Sequence, residues 1–170
     1  MRRITTVAVL VLAACWLASC DSPTSATSID VALTASPDPA IAEPSTGVTY
    51  RVTNSDDTVS TYEYSWRASF TVTIKEDGGK GLDIASLNLG VQMASGGIVI
   101  QPSGGESVYY KYTSSAGGNR VNANGSASIG FTVWYDLPND QKEALVTVSL
   151  GFEDDDNYSY TESIKVKVAP

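Results

Sequence analysis

The stretch Tyr-Glu-Tyr-Ser-Trp-Arg-Ala-Ser-Phe-Thr-Val-Thr-Ile, from Tyr62 to Ile74, decides the fold. Every second residue from Tyr62 is aromatic or aliphatic, and the residues between them are polar or charged. This period of two is typical of a β-strand, whose side chains alternate between the faces of a sheet. We therefore predict a strand with one apolar face that other strands must cover. At roughly 3.3 Å per residue it would span about 40 Å, so we expect it to bend, bulge or overhang the sheet.

The same alternation recurs along the chain between turns rich in Gly, Asn and Asp, which predicts an antiparallel all-β domain with no long helix. Prolines at 37, 39 and 44 predict that 36–46 is a loop or an edge strand changing sheets. In 84–93 the predicted inward face includes Ala85, and 137–144 is a predicted loop with at most one helical turn. The further strands are predicted at 29–35, 47–53, 84–93, 98–101, 107–113, 126–135, 144–152 and 158–168.

The N-terminus has the features of an export signal. Arg2 and Arg3 precede an apolar run at 4–14, which is too short for a comfortable transmembrane helix. The run ends in Leu-Ala-Ser-Cys at 17–20, which resembles the lipobox of bacterial lipoproteins. The resemblance implies a signal peptide at 1–19 and acylation, such as palmitoylation, of Cys20. Leu-Ala-Ala-Cys at 12–15 is also lipobox-like, so Cys15 is the alternative, and an ordinary cleaved signal is a further one.

The expected mature chain is therefore attached to a bacterial membrane through N-terminal acyl chains, in the cell envelope. A small, polar segment at 20–28 is the predicted tether, and 29–170 is the predicted domain. Asp21 resembles an inner-membrane retention signal, but we leave open which membrane holds the protein and whether the domain is periplasmic or surface-exposed. Without Arg2 and Arg3, the 11 basic residues fall to nine against 19 acidic ones, a net charge of about −10. Such a surface should repel nucleic acid, so no nucleic-acid partner is predicted.

The order of a proline-broken first strand, an aromatic strand with Trp66 and a terminal hairpin with an acidic turn resembles immunoglobulin-like domains of bacterial surface lipoproteins. This resemblance implies an antiparallel immunoglobulin-like β-sandwich of about seven to nine strands over 29–168. The cysteine pair of antibody domains is absent, which excludes that subgroup. A jelly roll or another sandwich is the alternative.

The residue types argue against catalysis. The chain has no histidine, which removes the usual general base and the commonest zinc ligand. Acylation of Cys20 would leave no free thiol in the mature chain, and no phosphate-binding signature is present. Catalysis would need a carboxylate pair or a Ser-Lys dyad, and no pair stands out. We therefore predict a non-catalytic protein, with a two-carboxylate hydrolase as the third alternative.

An acidic run at 153–157 is the most concentrated polar feature. Repulsion between its aspartates would be relieved by a hard cation, so the hypothesis is a calcium site formed by Asp154, Asp155, Asp156 or Asn157. Asp136 and Asp140 are natural extra ligands for this site if they lie at the same end of the domain. The alternative is a solvated hairpin loop in which Asp and Asn favour turn geometry. No other cofactor is predicted.

Two aromatic residues are predicted to point outward. Trp134 and Tyr109 are out of phase with the apolar residues beside them, whereas Tyr64, Trp66 and Phe70 are predicted core residues. An exposed tryptophan indicates a contact surface. The predicted function is thus a lipid-anchored envelope protein with a binding or structural role toward another envelope protein. The alternative is a carbohydrate-binding module, with or without calcium, that uses these two rings.

Overall fold

A computed structural model describes residues 30–53, 56–96, 108–114 and 118–170. The predicted signal peptide, Cys20 and the tether lie outside the described residues, as does the strand predicted at 98–101. The described chain is almost entirely β-structure, with a single 3₁₀ turn at Pro138–Asp140. The strands are β1 (Val31–Ser36), β2 (Ala40–Ile41), β3 (Glu43–Pro44), β4 (Thr49–Thr53), β5 (Val59–Glu63), β6 (Trp66–Glu76), β7 (Leu82–Met93), β8 (Val108–Ser114), β9 (Arg120–Val121), β10 (Ser126–Tyr135), β11 (Ala144–Asp154) and β12 (Ser159–Ala169).

Two five-stranded sheets contribute to one hydrophobic core. The first has the order β1-β6-β10-β8, with β3 also paired to β6, and the second has the order β2-β12-β11-β7-β9. Every pairing in them is antiparallel except β2 with β12, which is parallel. Side chains from both sheets form a single buried cluster that includes Phe70, Phe131, Val148 and Val166. The prediction of an antiparallel all-β domain is confirmed.

The stretch that decides the fold is two strands rather than one. It breaks at Tyr64 and Ser65, where the Tyr64 amide donates to the Val48 carbonyl at 3.0 Å and the Ser65 amide donates to Asp136 Oδ1 at 2.9 Å. Before the break, β5 pairs with β4 in a separate two-stranded sheet. After it, β6 lies between β1 and β10 in the first sheet. The sequence predicts a bend or bulge in this long strand. The chain does bend, and the bend moves it from the β4–β5 sheet into the first sheet.

The proline-rich segment changes sheets, as predicted. β2 pairs with β12 in the second sheet, and β3 returns to the first sheet beside β6. The strand at 126–135 has the predicted bounds and buries every second residue from Ala127 to Tyr135. The single helical turn also lies inside the predicted loop.

The predicted inward position of Ala85 is wrong. The register of β7 with β11 shifts between Gly151 and Phe152, so that Phe152 lies opposite Ile84 and Gly151 opposite Ser86. Ala85 is the extra residue of this bulge and is exposed, while Ile84 packs against the core. A bulge reverses the alternation on one side of it, which a continuous period of two does not anticipate.

Candidate functional site

Trp134 and Tyr109 form a cross-strand pair on the outer face of the first sheet. The register of β10 with β8 places them directly opposite each other. Their ring centroids are 5.5 Å apart and the ring planes are inclined by 30°. Tyr109 is 39% exposed and Trp134 is partly exposed. The two residues that the sequence singled out separately therefore make one aromatic surface, because each occupies an outward position of its own strand.

Lys111 lies beside both rings. It occupies the next outward position of β8, and its Nζ is 5.9 Å from the centroid of Tyr109 and 5.8 Å from that of Trp134. These distances are within the range of cation–π attraction. Among the described residues, no carboxylate lies within salt-bridge distance of Lys111. We call Tyr109, Lys111 and Trp134 the aromatic patch.

A tyrosine cluster on the β4–β5 hairpin borders this patch. The ring of Tyr50 is 4.7 Å from that of Tyr64 and 5.6 Å from that of Tyr62, measured between centroids. The Tyr50 hydroxyl donates to Asp136 Oδ2 at 2.9 Å. Burial, followed by the hydrogen bond to Asp136, raises the pKa of Tyr50 to about 12. The alternation from Tyr62 to Ile74 places Tyr62 and Tyr64 on one core strand, so the sequence does not predict this cluster. The alternation of Tyr50 and Val52 indicates only that a strand precedes it.

A groove of about 830 Å³ separates the hairpin from β8. Tyr64, which is buried, and Tyr109 face it from the body of the domain, and its cationic side chains are Arg51 and Lys111. Like Lys111, Arg51 has no carboxylate within salt-bridge distance in the described part of the chain. Burial is the main reason that the pKa of Tyr64 is raised to about 12, so this side chain faces the groove as a neutral phenol.

A smaller trough of about 360 Å³, also bordered by Lys111, lies over the outer face of the first sheet. Its floor includes Gly130, where the absence of a side chain leaves the sheet surface open. Hydroxyl groups line it, and the hydroxyls of Ser69 and Thr132 are hydrogen-bonded at 3.1 Å. The polar residues of the trough are Ser36, Ser69, Thr71, Lys111, Thr113 and Thr132.

Two cations of the same chain pair with three of the four carboxylates of the acidic loop at 153–157. Lys80 Nζ lies 3.2 Å from Asp154 Oδ2 and 2.7 Å from Asp156 Oδ2, and Arg120 pairs with Asp155. Asp154 is buried, and its Oδ1 accepts the amides of Asp156 and Tyr158, each at 2.9 Å. The Tyr158 amide is the main cause of the lowered pKa of Asp154.

This arrangement bears on the predicted calcium site. In the residues that the structure describes, no three acidic, cysteine or histidine side chains are placed to hold a metal ion. Asn157 has a φ of 64°, the left-handed conformation that asparagine adopts in turns. Calcium binding by Asp154, Asp155, Asp156 or Asn157 stays a prediction. A calcium ion would compete with Lys80 and Arg120 for the aspartate carboxylates.

The expectation that Asp136 and Asp140 join the acidic loop is wrong. Both precede β11 and Asp154 ends it, so the 11 residues of that strand separate them by about 33 Å. Asp136 instead accepts hydrogen bonds from Tyr50 and Ser65, and Asp140 Oδ1 accepts one from Trp66 Nε1 at 3.1 Å. The connection from β10 to β11 crosses between the two sheets at the end of the domain where β11 begins, so Asp136 lies at the end opposite to Asp154.

Comparisons with known proteins add little to this description. No protein-family model matches the chain, and no curated protein is similar to it. Among solved structures, it is similar to the X-ray structure of Northeast Structural Genomics Consortium target SoR45, with 12% sequence identity and a TM-score of 0.47. That similarity covers 82% of this chain and 85% of the other. At this distance it carries no inference about function.

The described residues also contain no helix that is both long and apolar enough to cross a membrane.

Proposed function

We propose that this chain is a lipid-anchored protein of the bacterial cell envelope with a non-catalytic binding or structural role toward another envelope protein. The observation that carries the binding role is the partly exposed Tyr109–Trp134 pair on an open sheet face. Aromatic rings are enriched in the centres of protein contacts because they bury a large area and lose little side-chain entropy. The absence of histidine from the sequence supports a role without acid–base catalysis.

We also propose that the two sheets form an immunoglobulin-like β-sandwich. The strand order β1-β6-β10-β8 supports this, because it corresponds to the order A-B-E-D of one immunoglobulin sheet. The run β12-β11-β7 likewise corresponds to G-F-C of the other sheet. Such a domain presents a sheet face and its end loops to a partner.

The anchor is tested by replacing the cysteines one at a time in the full chain. We expect Cys20→Ala to move the protein from the membrane fraction to the soluble fraction, because stable attachment then loses its acyl chains. Cys15→Ala is the matched control and should leave the protein in the membrane fraction. Membrane fractionation with detection of the attached lipid makes the measurement. Loss of attachment in Cys15→Ala alone would show that Cys15 is acylated rather than Cys20. Attachment of both variants would contradict the lipid anchor.

The second candidate function is carbohydrate binding, by a module that needs no metal or that is assisted by calcium. The aromatic patch favours it, because partly exposed rings next to a shallow trough lined by hydroxyl groups suit a sugar chain. Sugar rings stack on aromatic faces, and their hydroxyls exchange hydrogen bonds with Ser and Thr. A protein contact on the same face would need a larger apolar area, for which the hairpin offers Tyr62, 48% exposed.

A further inference from the structure

Lys111 is the point where three features of the outer face meet. It lies over the rings of Tyr109 and Trp134, it borders the trough above Gly130, and it borders the groove beneath the β4–β5 hairpin. A ligand that crosses from the trough to the groove must therefore pass this ammonium group. The trough and groove, of about 360 and 830 Å³, together offer room for several sugar residues.

Two cations lie at this crossing, although the chain as a whole is acidic. The sequence carries a net charge of −8, yet Lys111 and Arg51 enter the groove without a carboxylate partner among the described residues. The Asp136 and Glu63 carboxylates are hydrogen-bonded to neutral donors of the chain and keep their charge. Asp136 accepts hydrogen bonds from Tyr50 and Ser65, and the Glu63 carboxylate accepts one from the Gly47 amide. Arg67, the residue opposite Trp134 on β6, is already paired with Glu43 at 2.8 Å.

Of the seven other cations among the described residues, four lie within 3.2 Å of a carboxylate oxygen, and Lys142, Lys165 and Lys167 do not. Lys75, Lys80 and Arg120 each lie within 3.2 Å of a carboxylate oxygen, so they neutralise charge inside the chain. Lys111 and Arg51 share one groove and leave their charge available to a ligand. An unpaired cation beside an aromatic face suits a group that is both ring-shaped and anionic.

We propose that the aromatic patch, the trough and the hairpin groove form a binding site for an acidic polysaccharide, whose carboxylates pair with Lys111 and Arg51. This inference rests on the carbohydrate-binding candidate and specifies its ligand class. Tyr109 and Trp134 stack against the sugar rings, and the hydroxyls of Ser69 and Thr132 bond the sugar hydroxyls. Neutral glycans gain only the stacking and hydroxyl contacts, so they bind more weakly.

The test is affinity electrophoresis of the full chain, solubilised in detergent, through gels containing polygalacturonate, alginate or hyaluronate. Each gel is compared with one containing the carboxyl-reduced, neutral form of the same polymer. A strongly acidic protein is repelled by polyanions in general, so retardation by an acidic polymer reports a specific site. Lys111→Gln removes the charge and leaves a polar side chain that is one atom shorter. Lys165→Gln, an exposed lysine of β12 on the other sheet, is the matched control.

We expect retardation by at least one acidic polymer, about tenfold weaker binding in Lys111→Gln, and no change in Lys165→Gln, because only Lys111 loses a charge-assisted hydrogen bond to a carboxylate of the polymer. Equal binding to the acidic and the reduced polymers, or equal loss in both variants, would overturn the acidic ligand class and leave carbohydrate binding standing. No retardation by any polymer would overturn both and favour the protein contact. Unchanged thermal melting of Lys111→Gln excludes misfolding as the cause of a loss.

Discussion

Phe131→Ala is expected to lower the free energy of unfolding by about 3–5 kcal/mol, the usual loss when a large aromatic side chain is removed from a core. Phe131 is 2% exposed and lies in the central part of β10. Its ring centroid is 5.4 Å from that of Phe70 and 6.3 Å from that of Tyr112, so truncation leaves a cavity between three strands. Urea unfolding followed by circular dichroism makes the measurement.

Phe131→Leu is the matched control for this prediction. It keeps most of the apolar volume and should cost clearly less than the alanine variant, because the cavity is smaller. A loss below about 1 kcal/mol for Phe131→Ala would contradict the placement of Phe131 in the buried core shared by the two sheets.

Glu76→Ala is expected to be the second large loss, of about 2–4 kcal/mol, because hydrogen bonds to a charged acceptor contribute about 1.5–3 kcal/mol each. Glu76 is fully buried at the end of β6. Its Oε2 accepts the amide of Gly79 at 3.1 Å and that of Asn124 at 2.7 Å, so one carboxylate holds two separate turns. Removal of the side chain leaves both amides without their acceptor.

Glu76→Gln and Glu162→Ala are the controls for this prediction. Glutamine keeps an acceptor oxygen and removes a buried charge. Because Oε1 of the Glu76 carboxylate has no hydrogen-bond partner among the described residues, Glu76→Gln should lose less stability than Glu76→Ala. Glu162 is exposed on β12, and its replacement should change stability by less than about 0.5 kcal/mol. Chemical unfolding of the three variants under one set of conditions makes the comparison. Equal stability of Glu76→Ala and Glu162→Ala would show that the two turns do not depend on this carboxylate.

The sequence predicts strands well where a strand keeps the same hydrogen-bonded neighbour strands along its length. Ser126–Tyr135 is such a strand, since it lies between β6 and β8 over most of its length and its burial alternates without interruption. The prediction fails where partners change. Tyr62 to Ile74 keeps its period of two across Tyr64 and Ser65, although the backbone amides there leave the sheet for Val48 and Asp136. Those acceptors are distant in sequence, so alternation alone does not reveal the break.

The candidate site was predictable in part for the same reason. Phase relative to apolar neighbours identifies Tyr109 and Trp134 as outward residues, but their adjacency depends on the register between β8 and β10. Lys111 and the hairpin tyrosines become part of the site only through that register and through the position of β4 and β5. Asp154 shows the reverse case, because an acidic run that indicates an exposed loop contains one buried carboxylate, paired with Lys80 from a distant turn.

The most direct test of the account is whether the aromatic patch carries binding in the native envelope. The wild-type chain, a Tyr109→Ala/Trp134→Ala variant and Tyr158→Ala are each captured from detergent-solubilised native membranes. Tyr158 is 67% exposed in the acidic hairpin, so its loss controls for removal of an exposed ring elsewhere. We expect a stoichiometric partner, protein or glycan, with the wild type and with Tyr158→Ala, and its loss with the double variant. Retention of the same partner by a folded double variant would contradict the assignment of binding to this surface.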